Sequence, residues 1–363
     1  MPAALPLILR YFVISRLLLT LVAGVSRLVL KRVPIGDVWH LPLELWSAWD
    51  SGWYLQIVKH GYSAATHPRL PGQANYAFYP LYPLLTKLLG VALGESYLLS
   101  ALIVSNVCLI GAALILYRLT EADYGEHVAR LVNRYFFLFP SSLYLSGALS
   151  ESLYLLLVLA VLALARSGRW LLVGLLGFLL ALCRPPGLLI VIPLLYEYWR
   201  GSGRSLRNLR WDVLALALIP LGTLCFALYV YHLTGEPWAF IRVQAAWNRV
   251  LSNPVSVVLR AIMGPDKDDR FNAIYGTLVL SIVVLGWRKL RPSYLIFGLY
   301  SILVPLSSHA TSMVRMNSVL FPAWIVLARS FEKPVVHLIL SLVFAVIQAV
   351  FMVLWSNHYG VAV

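Results

Sequence analysis

Long apolar runs separated by short polar connections form the main pattern of the chain. A helix needs about 20 apolar residues to cross a bilayer, and eleven runs reach or approach that length. They cover approximately residues 9–30, 98–117, 130–146, 150–166, 170–183, 186–199, 211–232, 271–287, 292–306, 313–329 and 334–355. The two runs beside Pro185 and Pro186 are short and predict either one kinked helix or two broken ones. The pattern predicts an all-α polytopic membrane protein, a bundle of about eleven transmembrane helices.

Composition supports the same class. Of the 363 residues, 60% are apolar and 12% are charged, whereas a soluble domain has about 25% charged residues. A single soluble enzyme domain is therefore excluded. The first run contains Arg16 and Arg27 and lacks a small-residue cleavage site, which favours a retained helix over a secretion signal. Because no repeat, low-complexity tract or linker divides the chain, residues 1–363 are predicted to form one integral membrane domain.

Basic residues predict the orientation in the membrane. If the N-terminus is cytosolic, the five short inner connections contain 13 basic residues, whereas the short outer connections contain only Arg184. The positive-inside rule then places the C-terminus outside, together with the two long loops at about 31–97 and 233–270. The formal net charge of +14 is explained by this topology. Membrane lipids are therefore expected around the chain, and no nucleic-acid partner is needed.

The first outer loop carries a carboxylate beside aromatic residues. Residues 41–62, LPLELWSAWDSGWYLQIVKHGY, have aromatic residues at helical spacing and predict a helix in the membrane interface. Asp50 borders this surface, where an unpaired charge is costly, and this favours a functional role. Two structural alternatives remain. Trp49 and Trp53 are typical of interfacial anchors, and Asp50 suits a buried ion pair with Lys59 or an arginine.

The same loop continues with prolines and further aromatic residues. Pro80 and Pro83 are predicted to break any helix in residues 67–85. Tyr79 belongs to a crowded group of aromatic side chains that suits a sugar ring and a lipid interface equally well. This segment alone therefore decides no function.

The second outer loop contains side chains that suit a sugar or a glycolipid headgroup. Gln244, Trp247 and Arg249 lie within residues 235–249 and combine ring stacking with hydrogen bonding. The alternative for this segment is an ordinary interfacial helix.

The sequence contains one weak candidate for a metal site. Asp266 and Asp268 have the spacing by which nucleotide-sugar transferases hold a divalent cation, but nucleotide sugars are cytosolic and this segment is predicted outside. An acidic turn after Gly264 and Pro265 is also typical of a helix start. The three cysteines lack metal-binding spacing. We expect a reaction without a metal or another cofactor, and a divalent cation at Asp266 and Asp268 is the alternative.

Several sequence blocks resemble a known family. Residues 49–62, WDSGWYLQIVKHGY, and 75–85, NYAFYPLYPLL, are similar to the mannosyltransferase family that adds the second mannose during GPI-anchor assembly, and to its prokaryotic relatives. Further similar blocks are SGALSESLY at 146–154, CRPPG at 183–187, TGEPWAFIRVQAAWNR at 234–249 and SMVRMNSVLFP at 312–322. The departures are the Arg-Pro-Pro at 184–186 and Met316, where the family usually has tyrosine.

The resemblance implies a fold and an activity. It implies a multi-spanning glycosyltransferase of the GT-C superfamily that takes a sugar, here mannose, from a polyprenyl-phosphate donor. The acceptor would be linked to a lipid or a glycan, and transfer would occur on the non-cytosolic face. An acidic residue of the first outer loop serves as the base in such enzymes, which implies Asp50.

The chemistry itself requires few groups. Attack of a hydroxyl on the anomeric carbon needs one general base, and the lipid phosphate leaves without protonation, so the second carboxylate of a glycoside hydrolase is unnecessary. Arg184 and Arg315, both predicted at outer helix ends, suit the leaving phosphate, with His309 as a third candidate. The alternatives are arginines that extend to lipid headgroups and a histidine in a turn. Glu151 is expected to complement a helix N-terminus first and to contact the sugar second.

Two other classes of function remain open. A transporter or flippase of lipid-linked sugars would share the polytopic build, but it should place ionisable groups near mid-membrane and show broken helices in two related halves. A non-catalytic subunit that stabilises another transferase would need only the aromatic loops. Turnover of a lipid-linked donor by the purified protein discriminates between them.

Overall fold

The computed structural model describes residues 4–31, 41–205 and 210–360, and these residues form α-helices and short 3₁₀ helices without a strand. The α-helices are α1 (Ala4–Leu30), α2 (Leu41–Glu44), α3 (Ser51–His60), α4 (Leu81–Ala92), α5 (Tyr97–Tyr124), α6 (Glu126–Leu138), α7 (Glu151–Arg166), α8 (Trp170–Ala181), α9 (Val191–Gly201), α10 (Leu218–Thr234), α11 (Ala239–Arg242), α12 (Pro254–Met263), α13 (Lys267–Leu285), α14 (Pro292–Leu306), α15 (Met313–Met316), α16 (Phe321–Ala328) and α17 (Pro334–Ser356). The 3₁₀ helices are Asn75–Ala77, Pro140–Leu145, Pro185–Ile190, Trp211–Ala217, Val243–Trp247, Trp287–Lys289 and Asn317–Val319. The all-α prediction is confirmed.

The described helices have the length and composition of a membrane protein. Four helical segments are long and apolar enough to cross a bilayer, namely α1, α5, residues Trp211–Thr234 and α17. Every predicted apolar run is helical, but several runs consist of short helices in succession. The membrane class is therefore confirmed, whereas eleven crossings remain a prediction.

Close packing of small residues joins neighbouring helices. Helix α5 packs against α4, α6 and α7, and the series continues from α7 to α8 and from α8 to α10. A Cβ atom on Gly174 of α8 would lie 2.2 Å from the carbonyl oxygen of Ala215, and one on Gly222 of α10 would lie 2.4 Å from that of Phe178. Glycine permits these contacts, as is common where membrane helices meet.

The double proline breaks the helix between two predicted runs. Helix α8 ends at Ala181, and Pro185 begins the 3₁₀ helix that leads into α9. Arg184 is extended, with φ −158° and ψ 154°, because a residue that precedes proline is restricted to the β region. Of the two alternatives for this segment, two broken helices are correct. Because of the break, Arg184 lies between two helices and not within a helical turn.

Two predictions for the first outer loop are wrong. The continuous helix over 41–62 is interrupted between α2 and α3, and Trp49 there has a left-handed φ of 56°. Pro80 and Pro83 do not break a helix but begin one, since α4 starts directly after Pro80. The first turn of a helix has no intrahelical acceptors for its N–H groups, so Pro83 fits there. Residues 32–40 of this loop lie outside the described part of the chain.

Candidate active site

Four charged side chains alternate in sign where the first long loop, predicted to lie outside, meets three other segments. The Asp50 carboxylate lies 2.7 Å from Nη1 of Arg315, whose Nε lies 3.4 Å from Oε1 of Glu151. That same Oε1 lies 2.8 Å from Nη1 of Arg184. The side chains of Glu151 and Arg315 are 2% and 7% exposed, whereas that of Asp50 is 23% exposed. Asp50 is thus the more exposed of the two carboxylates.

Hydrogen bonds between loop segments bring Asp50 and Glu151 together. The Ala148 N–H donates to the carbonyl oxygen of Trp46 at 2.9 Å, four residues before Asp50. The Tyr54 hydroxyl lies 2.8 Å from Oγ of Ser150, directly before Glu151. These bonds lie on both sides of Asp50 in the first loop and directly before Glu151, so they fix the first loop against the start of α7.

The short helix α15 positions Arg315. Ser312 precedes it with a left-handed φ of 67°, and the N–H of Val314 donates to Oδ1 of Asn272 at 3.0 Å. Asn272 is buried on α13. The side-chain amide therefore satisfies a backbone donor in the first turn of α15 and fixes the direction from which Arg315 reaches Asp50.

A cavity of about 370 Å³ opens at these charges. Pockets of a few hundred Å³ suit small-molecule ligands. One part of the lining is charged, from Asp50, Glu151, Arg184, Arg249 and Arg315. Another part is apolar and aromatic, and includes Phe78, Leu149, Pro185, Pro186, Ile241, Trp247, Leu251, Val304, Pro305 and Val319. Such a lining can accommodate a ligand that has an anionic group, a ring and an apolar chain.

Aromatic residues of the two long loops that are predicted to lie outside meet at the cavity. The indole of Trp247 lies edge-on to Phe78 and to Trp53, with ring centroids 5.9 and 5.8 Å apart. Trp53 in turn stacks on Phe78 at 5.6 Å. Gln244 lines the cavity and donates to the carbonyl oxygen of Ala77 at 3.3 Å. The two loops, predicted separately, thus form one wall.

The structure brings most of the predicted residues to this cavity but not all of them. Tyr79 lines it and packs its ring on Phe226 and Phe240, and Trp53 lies behind Phe78. Trp49 is 38% exposed and faces His358, at a centroid distance of 5.9 Å. His309 contacts Thr311 and Asp269. Neither Trp49 nor His309 is among the residues that line the cavity.

Asp266 has a structural role that the sequence allowed. Its carboxylate accepts from the backbone N–H groups of Asp268 and Asp269 at 2.8 and 3.3 Å, and it is the N-cap of α13. This is ordinary capping chemistry. Over residues 4–31, 41–205 and 210–360, no three His, Cys, Asp or Glu side chains are grouped to hold a metal ion.

The sequence did not predict how central Glu151 is. It was expected mainly to complement a helix N-terminus, and it does begin α7, but its carboxylate also joins Arg184 to Arg315. Its Oε2 is buried without a hydrogen-bond partner in the described structure. Tyr154 was missed as well, and the guanidinium of Arg184 lies 5.8 Å from its ring centroid. The available signal was the acid at the start of an apolar run.

The described residues form a membrane protein whose cavity combines a partly exposed carboxylate with arginines and aromatic rings. The family described as mannosyltransferase (PIG-V) matches residues 7–232, which is more than half of the chain. The chain therefore belongs to this family of membrane proteins. The prediction that rested on sequence resemblance is confirmed at this level.

Two solved structures are similar to the chain. One is the oligosaccharyltransferase of Archaeoglobus fulgidus tethered to an acceptor peptide, with 10% identity, a TM-score of 0.46 and coverage of 95% of this chain and 55% of that one. The other is the archaeal oligosaccharyltransferase AglB from Archaeoglobus fulgidus in complex with an inhibitory peptide and a dolichol-phosphate, with 11% identity, a TM-score of 0.45 and coverage of 95% and 56%. The chain thus spans little more than half the length of either. No curated protein matches the chain.

Proposed function

We propose that this chain transfers mannose from a polyprenyl-phosphate donor to a hydroxyl of a lipid- or glycan-linked acceptor on the non-cytosolic face of the membrane. The observation that carries the proposal is the cavity in which Asp50 meets the buried Arg315 beside two further arginines. Membership of a mannosyltransferase family supports the sugar and the class of reaction. The choice of donor, of acceptor and of the side of the membrane is part of this proposal.

Asp50 is the general base of the proposed reaction. The acceptor oxygen attacks the anomeric carbon, its proton passes to the Asp50 carboxylate, and the new glycosidic C–O bond forms. The bond from the anomeric carbon to the phosphate oxygen breaks on the opposite face of the sugar, and polyprenyl phosphate leaves with the electron pair. One carboxylate is sufficient because the leaving phosphate is a weak base that needs no proton.

Arg315 and Arg184 stabilise the leaving phosphate. Before the donor binds, Arg315 pairs with Asp50 and both arginines share Glu151. A phosphate that draws the guanidinium of Arg315 towards itself weakens its hold on Asp50 and leaves that carboxylate free to accept a proton. Planar guanidinium groups match phosphate oxygens in pairs, and their contribution grows as charge develops in the transition state. His309 has no part in this scheme because it contacts Asp269 instead.

The remaining cavity residues bind sugar and acceptor. Trp247 offers an aromatic face, Gln244 an amide, and the unpaired Oε2 of Glu151 an acceptor for a sugar hydroxyl. Trp53 supports this wall from behind, and Tyr79 is itself part of the lining. A buried carboxylate oxygen without a hydrogen-bond partner is energetically costly. A sugar hydroxyl that donates a hydrogen bond to it would therefore stabilise the complex.

The proposed topology has the N-terminus in the cytosol and the C-terminus and both long loops outside. Ser63 lies in the first outer loop and Ser205 in a predicted inner connection. Single cysteines at these positions are introduced into a chain in which the exposed Cys225 is replaced by alanine. We expect an impermeant thiol reagent added from outside to label Ser63→Cys and to leave Ser205→Cys unlabelled. The reverse pattern would overturn the orientation, and permeabilised membranes provide the control for reactivity.

The donor class is tested by turnover of the purified protein. We expect a polyprenyl-phosphate mannose to be consumed at the same rate with and without EDTA, because arginines rather than a cation compensate the leaving phosphate and Asp266 caps a helix. Activity on a nucleotide sugar that EDTA abolishes would reject this mechanism. A protein that moves the lipid-linked sugar across vesicles without forming a glycosidic bond would be a flippase.

A further inference from the structure

The three arginines that line the described cavity are not equivalent. Arg184 lies 2.8 Å from Glu151, and Arg315 lies 2.7 Å from Asp50. Within the parts of the chain that the structure describes, Arg249 has no carboxylate within the 4.0 Å that defines an ion pair. Two cavity arginines are therefore neutralised by neighbours, and the charge of Arg249 remains uncompensated.

Instead of an ion pair, Arg249 makes only a weak contact with a sulfur atom. Its Nη1 points at the thioether sulfur of Met316 at 3.8 Å, and a thioether is a poor hydrogen-bond acceptor. Burial, followed by the charge of Arg315, lowers the pKa of Arg249 to about 10. The guanidinium is still protonated at neutral pH. It is thus a half-buried cation whose best available partner is one that the cavity would have to receive.

The backbone holds Arg249 at the cavity rather than leaving it in a loose loop. The 3₁₀ helix ends at Trp247, and Asn248 takes a left-handed φ of 57°. Asparagine adopts this conformation more readily than most residues. The N–H of Arg249 then bonds back to the carbonyl oxygen of Gln244 at 3.1 Å. This closed turn directs the chain so that Gln244, Trp247 and Arg249 all line the cavity.

We propose that Arg249 is the primary anchor for a phosphate group in this cavity, and that it binds before Arg315 and Arg184 exchange their carboxylate partners. The inference rests on the proposed function, because it names the residue that first holds the donor. An incoming phosphate oxygen replaces the sulfur of Met316 as the acceptor for Arg249. No existing ion pair has to break for this step, whereas Arg184 and Arg315 must each give up part of an ion pair.

The charge of the cavity also predicts which phosphate fits. Asp50 and Glu151 offset two of the three arginines, so a single positive charge is left. A phosphodiester that links a prenyl chain to a sugar carries one negative charge and matches it. A diphosphate carries more negative charge and would leave part of it uncompensated beside two carboxylates, where like charges repel.

The test measures binding of farnesyl phosphate to the purified full-length chain in detergent at about pH 5, below the second phosphate pKa of about 6, where this ligand carries one negative charge as the phosphodiester does. Arg249→Gln removes the charge and keeps much of the shape. Arg242→Gln is the matched control, since Arg242 lies in the same loop but is 70% exposed and pairs with Glu236 at 2.9 Å. A charge-assisted hydrogen bond corresponds to about tenfold to a hundredfold in affinity. We expect Arg249→Gln to lose at least about tenfold and Arg242→Gln to match the wild type.

Three further binding measurements identify the ligand and serve as controls. Arg249→Lys keeps the charge without the planar fork and should fall between wild type and Arg249→Gln. Farnesol lacks the phosphate and should bind weakly to all variants. Inorganic phosphate that competes as well as farnesyl phosphate, and loses affinity in Arg249→Gln, would support the anchor and identify free phosphate as its ligand. Equal binding of farnesyl phosphate by Arg249→Gln and wild type, or equal binding of farnesol and farnesyl phosphate, would overturn the anchor.

Turnover measured in parallel separates this inference from the proposed function. Phosphate binding that depends on Arg249, in a wild-type protein that transfers no sugar, would uphold the anchor and reject glycosyl transfer from this donor. Transfer by the wild type with an unchanged donor KM in Arg249→Gln would uphold the function and reject the anchor.

Discussion

Asp50→Asn is expected to fold normally and to transfer sugar about 10² to 10⁴ times more slowly than the wild type, which is the range for loss of a general base. Asparagine preserves the shape of aspartate and can still accept a hydrogen bond from Arg315, but it cannot take a proton from the acceptor hydroxyl. Initial rates of the purified protein with a polyprenyl-phosphate sugar measure the effect. The fall should appear in kcat, because the donor phosphate is bound by other groups.

The matched control for this variant is Glu44→Gln, which removes an exposed acid from the same loop and should keep full activity. The structure also supplies the partner for a purely structural role, since Asp50 pairs with Arg315. That alternative predicts a lower unfolding temperature of Asp50→Asn with activity retained in the molecules that remain folded. Turnover above about a tenth of the wild-type rate, corrected for folded protein, is incompatible with Asp50 as the base, since its loss should cost more.

Apolar patterning predicted the helices because a helix forms its backbone hydrogen bonds within one segment, and because an apolar run indicates that this segment lies in an apolar environment. The prediction needs only local information, and all predicted runs are helical. The count of crossings is a different matter. Residues 130–146 are divided at Pro140, and residues 186–199 between Ile190 and Val191, each into an α and a 3₁₀ segment, and hydropathy does not distinguish a broken helix from a straight one.

The interfacial helix over 41–62 failed for a tertiary reason. Aromatic spacing was helical, but the carbonyl oxygen of Trp46 accepts a hydrogen bond from Ala148, far along the chain. Trp49 adopts a left-handed conformation in the same turn. Helix propensity depends on neighbouring residues in the sequence and does not reflect such a distant hydrogen bond. Tertiary contacts therefore override the helix propensity here.

The site shows the same division between local and distant information. Asp50, Arg184 and Arg315 were selected as residues with suitable chemistry beside predicted spans. Their pairing through Glu151 depends on four segments that meet only in the folded chain. The uncompensated charge of Arg249 is likewise visible only after the partners of the other arginines are known. Sequence thus predicted several of the side chains that line the cavity, and the structure was needed to show which of them are paired with one another.

Arg315→Lys should reduce kcat about tenfold or more, and Arg315→Ala about 10²- to 10³-fold, the range for loss of a transition-state donor. Lysine retains the positive charge but not the planar fork that binds two phosphate oxygens at once. Because the contact strengthens as the phosphate leaves, kcat should fall together with donor affinity. Steady-state kinetics over a range of donor concentration separates the two. Arg260→Lys, an exposed arginine on α12, is the control and should behave as wild type.

Arg315 also holds Asp50, and a double-mutant comparison separates this role from phosphate binding. Turnover in the Asp50→Asn background is too low to compare, so binding of farnesyl phosphate is measured instead for wild type, each single variant and the double variant. If Arg315 contacts phosphate, Arg315→Lys weakens binding in both backgrounds. If Arg315 serves only to orient Asp50, Arg315→Lys leaves phosphate affinity unchanged in both backgrounds, and its kinetic defect comes entirely from a misplaced base. That second outcome would remove Arg315 from the phosphate site and leave Arg249 and Arg184 to compensate the leaving group.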